Sequence, residues 1–123
     1  NHEHYHGDFA TSGNKIRTML RDNGCGNVHF LDKEFVVIED TLFVGGTLWT
    51  DMNKEDPLTM HSISRMMNDF RCVDNSNREV SFKTFDALGN PNGHSTRPAR
   101  FCPEDAVEEH KKMLDNICCL EYK

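Results

Sequence analysis

Long apolar runs are missing from the sequence. No stretch approaches the ~20 consecutive apolar residues that a membrane-spanning helix needs. No positively charged and then apolar signal opens the chain either. These two absences argue against a membrane protein, and we therefore expect a cytoplasmic protein.

Positive charge is also in short supply. The sequence has 14 Lys and Arg residues against 20 Asp and Glu residues, which gives a formal net charge of -6 at pH 7. A protein that grips the phosphate backbone of nucleic acid needs a surplus of Lys and Arg to displace counterions. The deficit excludes a general nucleic-acid binder and leaves nucleic acid only as a substrate.

Paired cysteines are the third absence. The five cysteines are an odd number, and no two of them stand in a CxxC pair. A disulfide framework and a zinc ribbon are therefore not indicated, and we predict reduced thiols. The neighbours Cys118 and Cys119 are a candidate redox switch, but on an amphipathic helix we expect one of the two to pack inward.

What the sequence does contain is typical of a folded protein. Charged residues make up 28% and hydrophobic residues 37%, with eight Phe and one Trp. This balance favours a globular chain over a disordered one. A length of 123 residues predicts one domain, or part of one.

Three segments carry helix signals. Capping side chains at 11–14 and a stop at Gly24 predict a helix over about 14–23. Asp56 followed by Pro57 predicts a second helix over about 57–70. A third begins at Pro103, and its predicted buried stripe consists of Ala106, Val107, His110, Met113, Leu114 and Ile117.

Three β-branched and aromatic runs, at 28–31, 35–38 and 41–46, predict strands. The last two are almost continuously apolar, as expected of strands covered on both faces. Residues 74–100 are polar and predict a long loop with a short hairpin at 79–85. The sum is an α/β body of about three to five strands and three helices, too few helices to cover both faces.

The chain begins NHEHYHGDF, which places histidines at positions 2, 4 and 6. In an extended segment His2, His4 and His6 lie on one face but are spread along it, with roughly 13 Å between His2 and His6, so we expect that one metal ion cannot reach all three. In a flexible segment they can gather a metal weakly. A metal-buffering tail is therefore one hypothesis for this stretch.

Asn1, His2 and Glu3 also resemble the third signature block, Gly-Asn-His-Glu, of the calcineurin-like metallophosphoesterases. The similarity continues through VHFLD, FVVIEDTLFVGGTLWTDM, MNDFR and PEDAVEEHKKML, in the order found in predicted phosphoesterases of bacteria and phages. It covers nearly the whole chain, and the TLW block at 47–49 and the MNDFR block at 67–71 are its most specific parts. The resemblance implies part of a layered β-sheet sandwich flanked by helices.

The resemblance also implies a function: hydrolysis of phosphate mono- or diesters at a dinuclear metal centre. In the family the asparagine of this block is a metal ligand, which corresponds to Asn1. The histidine lies near the leaving group and supplies a proton or stabilises charge, which corresponds to His2. In such centres two divalent ions about 3.5–4 Å apart clamp the phosphate and activate a water. An amide oxygen suits Mn²⁺ or Mg²⁺, with Fe or Zn²⁺ as further options.

The family's other signature blocks precede and follow the stretch that this sequence contains. Asp-x-His and Gly-Asp-x-x-Asp come before the asparagine block, and a histidine and Gly-His-x-His come after it. We interpret Gly7-Asp8 and Gly93-His94 as superficial echoes of these blocks in loops. The chain is thus expected to be inactive alone. The alternative is a non-catalytic binding or regulatory module that completes its sheet by self-association, because a partial sheet exposes strand edges.

Five further residues are candidates for either a functional or a structural role. Trp49, with 50–52, either shapes a substrate pocket or packs in the core, and packing is favoured. His61 and His110 are interpreted as hydrogen-bonded core or boundary residues rather than metal ligands. Asp69 and Arg71 are expected to form a structural ion pair. The 74–100 loop is a candidate lid or specificity element, or equally a disordered insertion.

Overall fold

The computed structural model describes residues 2–120 and has a mixed α/β architecture. Its elements, in chain order, are a 3₁₀ turn His2–His4, β1 Gly7–Asp8, α1 Phe9–Asp22, β2 Glu34–Ile38, β3 Thr41–Gly45, α2 Met52–Glu55, α3 Pro57–Met66, α4 Asp69–Cys72, β4 Val73–Phe85, β5 Pro91–Arg100 and α5 Pro103–Leu120. One sheet has the strand order β1-β4-β5, and the other contains β2 and β3. Across residues 2–120, no helix has both the length and the apolar character needed to cross a membrane.

Helix α1 begins at Phe9, five residues before the predicted start. The prediction was wrong because the capping residue is Asp8, whose Oδ1 accepts the backbone N–H of Ala10 at 3.3 Å. The predicted stop is confirmed. Gly24 has φ +67°, and its N–H and that of Cys25 return to carbonyl oxygens of the last helical turn. This is the Schellman arrangement that favours glycine.

The predicted helix over 57–70 is two helices in the structure. Its start is confirmed, because the Asp56 carboxylate accepts the Thr59 N–H at 2.8 Å and Pro57 occupies the first turn. The helix ends at Met66, since Met67 is extended with φ -86° and ψ 135°. The short helix α4 then begins at Asp69. The helical spacing of apolar residues continues from α3 into α4, so the sequence did not indicate the break.

Residues 74–100 form a long β-hairpin, and the prediction of a polar loop was wrong. Strands β4 and β5 pair antiparallel from Asp74–Arg100 out to Phe85–Pro91, with an irregularity between Asn75 and Glu79. Most of the hairpin is exposed, so its strands have no buried face to impose an apolar alternation. The polar composition of residues 74–100 therefore did not indicate that their backbone groups pair as strands.

Strands β2 and β3 lie close to their predicted positions. The prediction that other elements cover both of their faces was not met. Phe35 pairs with Val44, and Val37 with Leu42, which places all four on one face. All four are exposed. The expected cover on both faces is thus wrong for residues 2–120. Residues 28–31 are not a strand, and the carbonyl oxygen of Phe30 instead accepts a hydrogen bond from Arg17 of α1.

Helix α5 confirms the third predicted helix. Ala106, Val107 and Met113 of its stripe are buried, whereas Leu114 is exposed. The expectation that one of the adjacent cysteines packs inward was wrong, because Cys118 and Cys119 are both exposed. All five cysteines are free thiols, as predicted.

The core centres on Phe101, which is 1% exposed and follows β5 directly. Its ring centroid lies 4.6 Å from that of Phe9, 5.1 Å from that of Trp49 and 5.9 Å from that of Phe70. Residues from α1, from the segment after β3 and from α4 therefore meet at one aromatic side chain. These contacts bring the three segments together at one end of the sheet β1-β4-β5.

Candidate functional site

The predicted catalytic residue His2 lies on the surface, in the 3₁₀ turn His2–His4. The predicted metal ligand Asn1 lies outside the described residues. The imidazole of His2 is 4.6 Å from the ring centroid of Tyr5. The strand β1 and the helix α1 follow this turn, so the opening block leads through a short strand into a helix.

Tyr5 links the opening block to the MNDFR block. Its hydroxyl donates a hydrogen bond to the carboxylate of Asp69 at 3.3 Å, and Asp69 is buried. Partial burial and the neighbouring Asp69 carboxylate raise the pKa of Tyr5, so the phenol keeps its proton at neutral pH. The backbone N–H of His6 also donates to the carbonyl oxygen of Cys72 at 2.8 Å. The two segments, more than sixty residues apart in sequence, are therefore neighbours in the fold.

His2, His4 and His6 do not gather at one point. His2 and His6 are exposed, whereas His4 is 8% exposed and packs against the ring of Phe9 at 4.8 Å. Burial lowers the pKa of His4, which favours the neutral imidazole. Residues 2–120 contain no cluster of three or more His, Cys, Asp or Glu side chains able to hold a metal ion. The metal-buffering hypothesis therefore has no geometric support in the described part of the chain.

Trp49 is buried against Phe101, as the packing interpretation predicts. It also lines a cavity of about 330 Å³, whose other walls are residues 47, 48 and 50, Met52, Ile63 and Met67. Met52 begins a single left-handed turn, because residues 52–55 all have φ between 50° and 61°. Its N–H is held by the Thr50 hydroxyl at 3.2 Å. No glycine occurs at residues 52–55 to signal this turn.

Three of the four remaining candidate residues, His110, Asp69 and Arg71, have structural partners. His110 donates from Nδ1 to the carbonyl oxygen of Trp49 at 2.6 Å, which confirms a hydrogen-bonded boundary histidine. His61 is exposed on α3, so the expectation of a core or boundary residue was wrong for it. Asp69 and Arg71 take partners other than the expected ones, since Asp69 accepts from Tyr5 and Arg71 donates to a backbone carbonyl oxygen of α3.

The two superficial echoes of family blocks do not lie in loops. Asp8 ends β1 and caps α1, and its carboxylate accepts the N–H of Ser76 at 2.8 Å and the Ser76 hydroxyl at 2.7 Å. Burial acts to raise the pKa of Asp8, but these hydrogen bonds outweigh it and lower the pKa. Gly93 and His94 belong to β5. Asp8 is thus a structural residue that joins two segments.

A second polar cluster was missed by sequence reasoning. Arg78 of β4 pairs with Asp105 of α5 at 2.7 Å, and the buried Glu109 pairs with Lys33 at 2.7 Å and with Lys112 at 2.9 Å. Since 74–100 was expected to be a loop, no signal in the sequence placed Arg78 against α5. Every charge in this cluster faces an opposite charge, so it joins elements rather than offering a free catalytic group.

Cys102 lies beside this cluster, with its sulfur 3.2 Å from the Arg78 guanidinium. Burial, followed by the nearby carboxylates, raises the pKa of Cys102 to about 11. The thiolate is the nucleophilic form, so Cys102 is unreactive at neutral pH.

Comparisons with protein-family models, with curated proteins and with solved structures find no match to this chain.

Proposed function

We propose that this chain is a segment of a calcineurin-like, metal-dependent phosphoesterase that hydrolyses phosphate mono- or diesters. The observation that supports it best is the meeting of three segments of the resemblance, which are the opening NHEHYHGDF stretch, the TLW block and the MNDFR block. Phe9 ends the first segment, Trp49 ends the second and Phe70 belongs to the third, and all three rings contact Phe101. Segments that share a site must also share a location, and these do.

In this proposal His2 acts on the leaving group of the ester. Its exposed imidazole is accessible to a substrate, and histidine is the side chain most often used as a general acid or base. Tyr5 contacts this imidazole and is itself held by Asp69. The contact restricts the His2 ring, and it assigns Tyr5 and Asp69 the role of positioning residues in this proposal.

The described residues do not by themselves fit a dinuclear metal centre. Such a centre takes several ligands around each ion, and residues 2–120 offer no cluster of His, Cys, Asp and Glu that could supply them. Asn1 is a single proposed ligand. The proposal therefore requires the other ligands to come from polypeptide beyond these 123 residues, and it predicts that the chain alone is inactive.

The test compares two polypeptides in the presence of Mn²⁺, with 4-nitrophenyl phosphate and its bis ester as substrates. We expect no hydrolysis by the 123-residue chain and measurable hydrolysis by a longer polypeptide that carries the missing blocks. In the longer polypeptide, His2→Gln should lower kcat by about 10²–10⁴-fold, the usual contribution of a general acid. His6→Gln is the matched control, since His6 is exposed in the same segment and should leave kcat unchanged. High activity that survives replacement of Asn1 and His2 contradicts the proposal.

One observation favours a second candidate, a self-associating binding module. The face of β2 and β3 formed by Phe35, Val37, Leu42 and Val44 is apolar and exposed, and a two-stranded hairpin is only marginally stable by itself. Sedimentation of the 123-residue chain tests this candidate. A stable dimer that Val37→Lys dissociates supports it, with Val80→Lys on the other hairpin as control. A monomer at all concentrations rejects it.

A further inference from the structure

The cavity beside Trp49 has the properties of a small ligand site. Its volume of about 330 Å³ lies at the lower end of the range for ligand cavities, roughly 300–1,000 Å³. None of its seven lining side chains is charged, and the polar side-chain groups among them are the two threonine hydroxyls and the indole N–H of Trp49. Such a wall excludes a phosphate group and favours an apolar occupant.

The chemistry of the wall narrows the occupant further. An apolar cavity of about 150 Å³ already accepts a benzene ring, so this one has room for one or two rings. Trp49 provides an aromatic surface, and the sulfur atoms of Met52 and Met67 make favourable contacts with aromatic rings. A planar aryl group therefore suits the cavity better than a branched aliphatic group of equal size.

The walls are held in place before any ligand binds. Met52 is only 3% exposed despite its positive φ, and Glu55 at the end of the same turn pairs with Lys111 of α5. His110, next to Lys111, fixes the backbone of Trp49 through its carbonyl oxygen. Helix α5 thus holds two parts of the wall, and a preformed cavity binds without the entropic cost of ordering a loop.

The cavity also adjoins the segment that carries the proposed catalytic group. Met67 lines the cavity, and Asp69, two residues later, accepts the hydrogen bond from Tyr5, whose ring contacts His2. Tyr5 and Met67 both pack against the same core cluster. We propose that the cavity binds the aryl group of an aryl phosphate ester whose charged phosphate remains outside; the phosphate part of this inference rests on the proposed function.

The test follows the methionine methyl groups of the 123-residue chain by carbon-13 NMR while phenyl phosphate, phenol or inorganic phosphate is added. Met52 and Met67 line the cavity, whereas Met19 and Met66 are exposed elsewhere and serve as internal controls. We expect saturable shifts of Met52 and Met67 with phenyl phosphate and with phenol, at a Kd on the order of 1 mM. Inorganic phosphate should move neither. Shifts that are absent, or equal at all four methionines, overturn the inference.

Substitutions at two adjacent positions test the location of phenol binding independently. Met67→Trp fills part of the cavity and should weaken phenol binding about tenfold or more, while Met66→Trp, at a position 78% exposed, should leave it unchanged. Equal weakening by both substitutions contradicts the proposed location. If phenol shifts Met52 and Met67 but the longer polypeptide shows no hydrolysis, the aryl-binding cavity is supported and the phosphoesterase proposal is rejected. Hydrolysis without any shift at these two residues rejects only the cavity inference.

Discussion

Replacing Phe101 by alanine removes the side chain on which the three segments of the site converge. The ring is 1% exposed, and its centroid lies between 4.6 and 5.9 Å from three other aromatic rings. Because these rings come from separate segments, they cannot collapse together into the space left behind. The full-sized cavity should therefore persist, which is the costly outcome of a large-to-small core substitution.

The expected loss in the free energy of unfolding follows from the packing of the Phe101 ring. Phe→Ala substitutions in cores cost about 3–5 kcal/mol, and we expect about 4 kcal/mol here because relaxation is limited. This is a large part of the roughly 5–15 kcal/mol that stabilises a typical domain. With a urea dependence of about 2 kcal/mol per molar, the unfolding midpoint should fall by about 2 M.

Urea unfolding followed by tryptophan fluorescence measures this shift directly. Trp49 is the one tryptophan of the sequence, and it contacts Phe101, so the signal arises at the perturbed site. Phe85→Ala is the control, because Phe85 is 57% exposed at the tip of the long hairpin and should change stability by less than about 0.5 kcal/mol. A loss below about 1 kcal/mol for Phe101→Ala would refute the convergence of the segments on this ring.

Two further predictions concern titrating groups. Asp8→Ala should cost about 1–2 kcal/mol at pH 7, because it removes a helix cap and the hydrogen bonds from Ser76. The folded-state pKa of Asp8 is lowered, so this contribution is present above its ordinary value of 3.8 and is lost as the pH falls through the folded-state pKa. Urea unfolding at neutral and acidic pH measures the difference, and a constant difference contradicts the assignment. At pH 7–8 iodoacetamide should modify Cys118 and Cys119 well before Cys102, whose pKa is about 11; mass spectrometry of early time points showing Cys102 labelled first contradicts this.

The elements predicted correctly from the sequence depend on chemistry within a few residues. The carboxylate of Asp56 reaches a backbone N–H only three residues away, and Gly24 ends its helix by its own backbone conformation. Helix α5 carries its apolar stripe and its opening proline in one continuous segment. Local signals of this kind need no knowledge of the rest of the fold.

The elements that sequence reasoning missed depend on distant partners. The capping bond of Asp8 is local and was simply overlooked, whereas its hydrogen bond from Ser76, 68 residues away, could not be foreseen from the sequence. The register that places Phe82 opposite Ser95 cannot be read from an exposed hairpin, since neither face selects apolar residues. At the candidate site, His2 was named from the sequence, whereas its link through Tyr5 to Asp69 is visible only in three dimensions.

Determining the coding sequence on both sides of these 123 codons tests the central claim most directly. The phosphoesterase account predicts a glycine codon immediately before Asn1, preceded by blocks encoding Asp-x-His and then Gly-Asp-x-x-Asp. It also predicts a strand ending in histidine and a Gly-His-x-His block downstream of Lys123. Flanking codons that encode none of these blocks would contradict the account and leave the self-associating module as the remaining candidate.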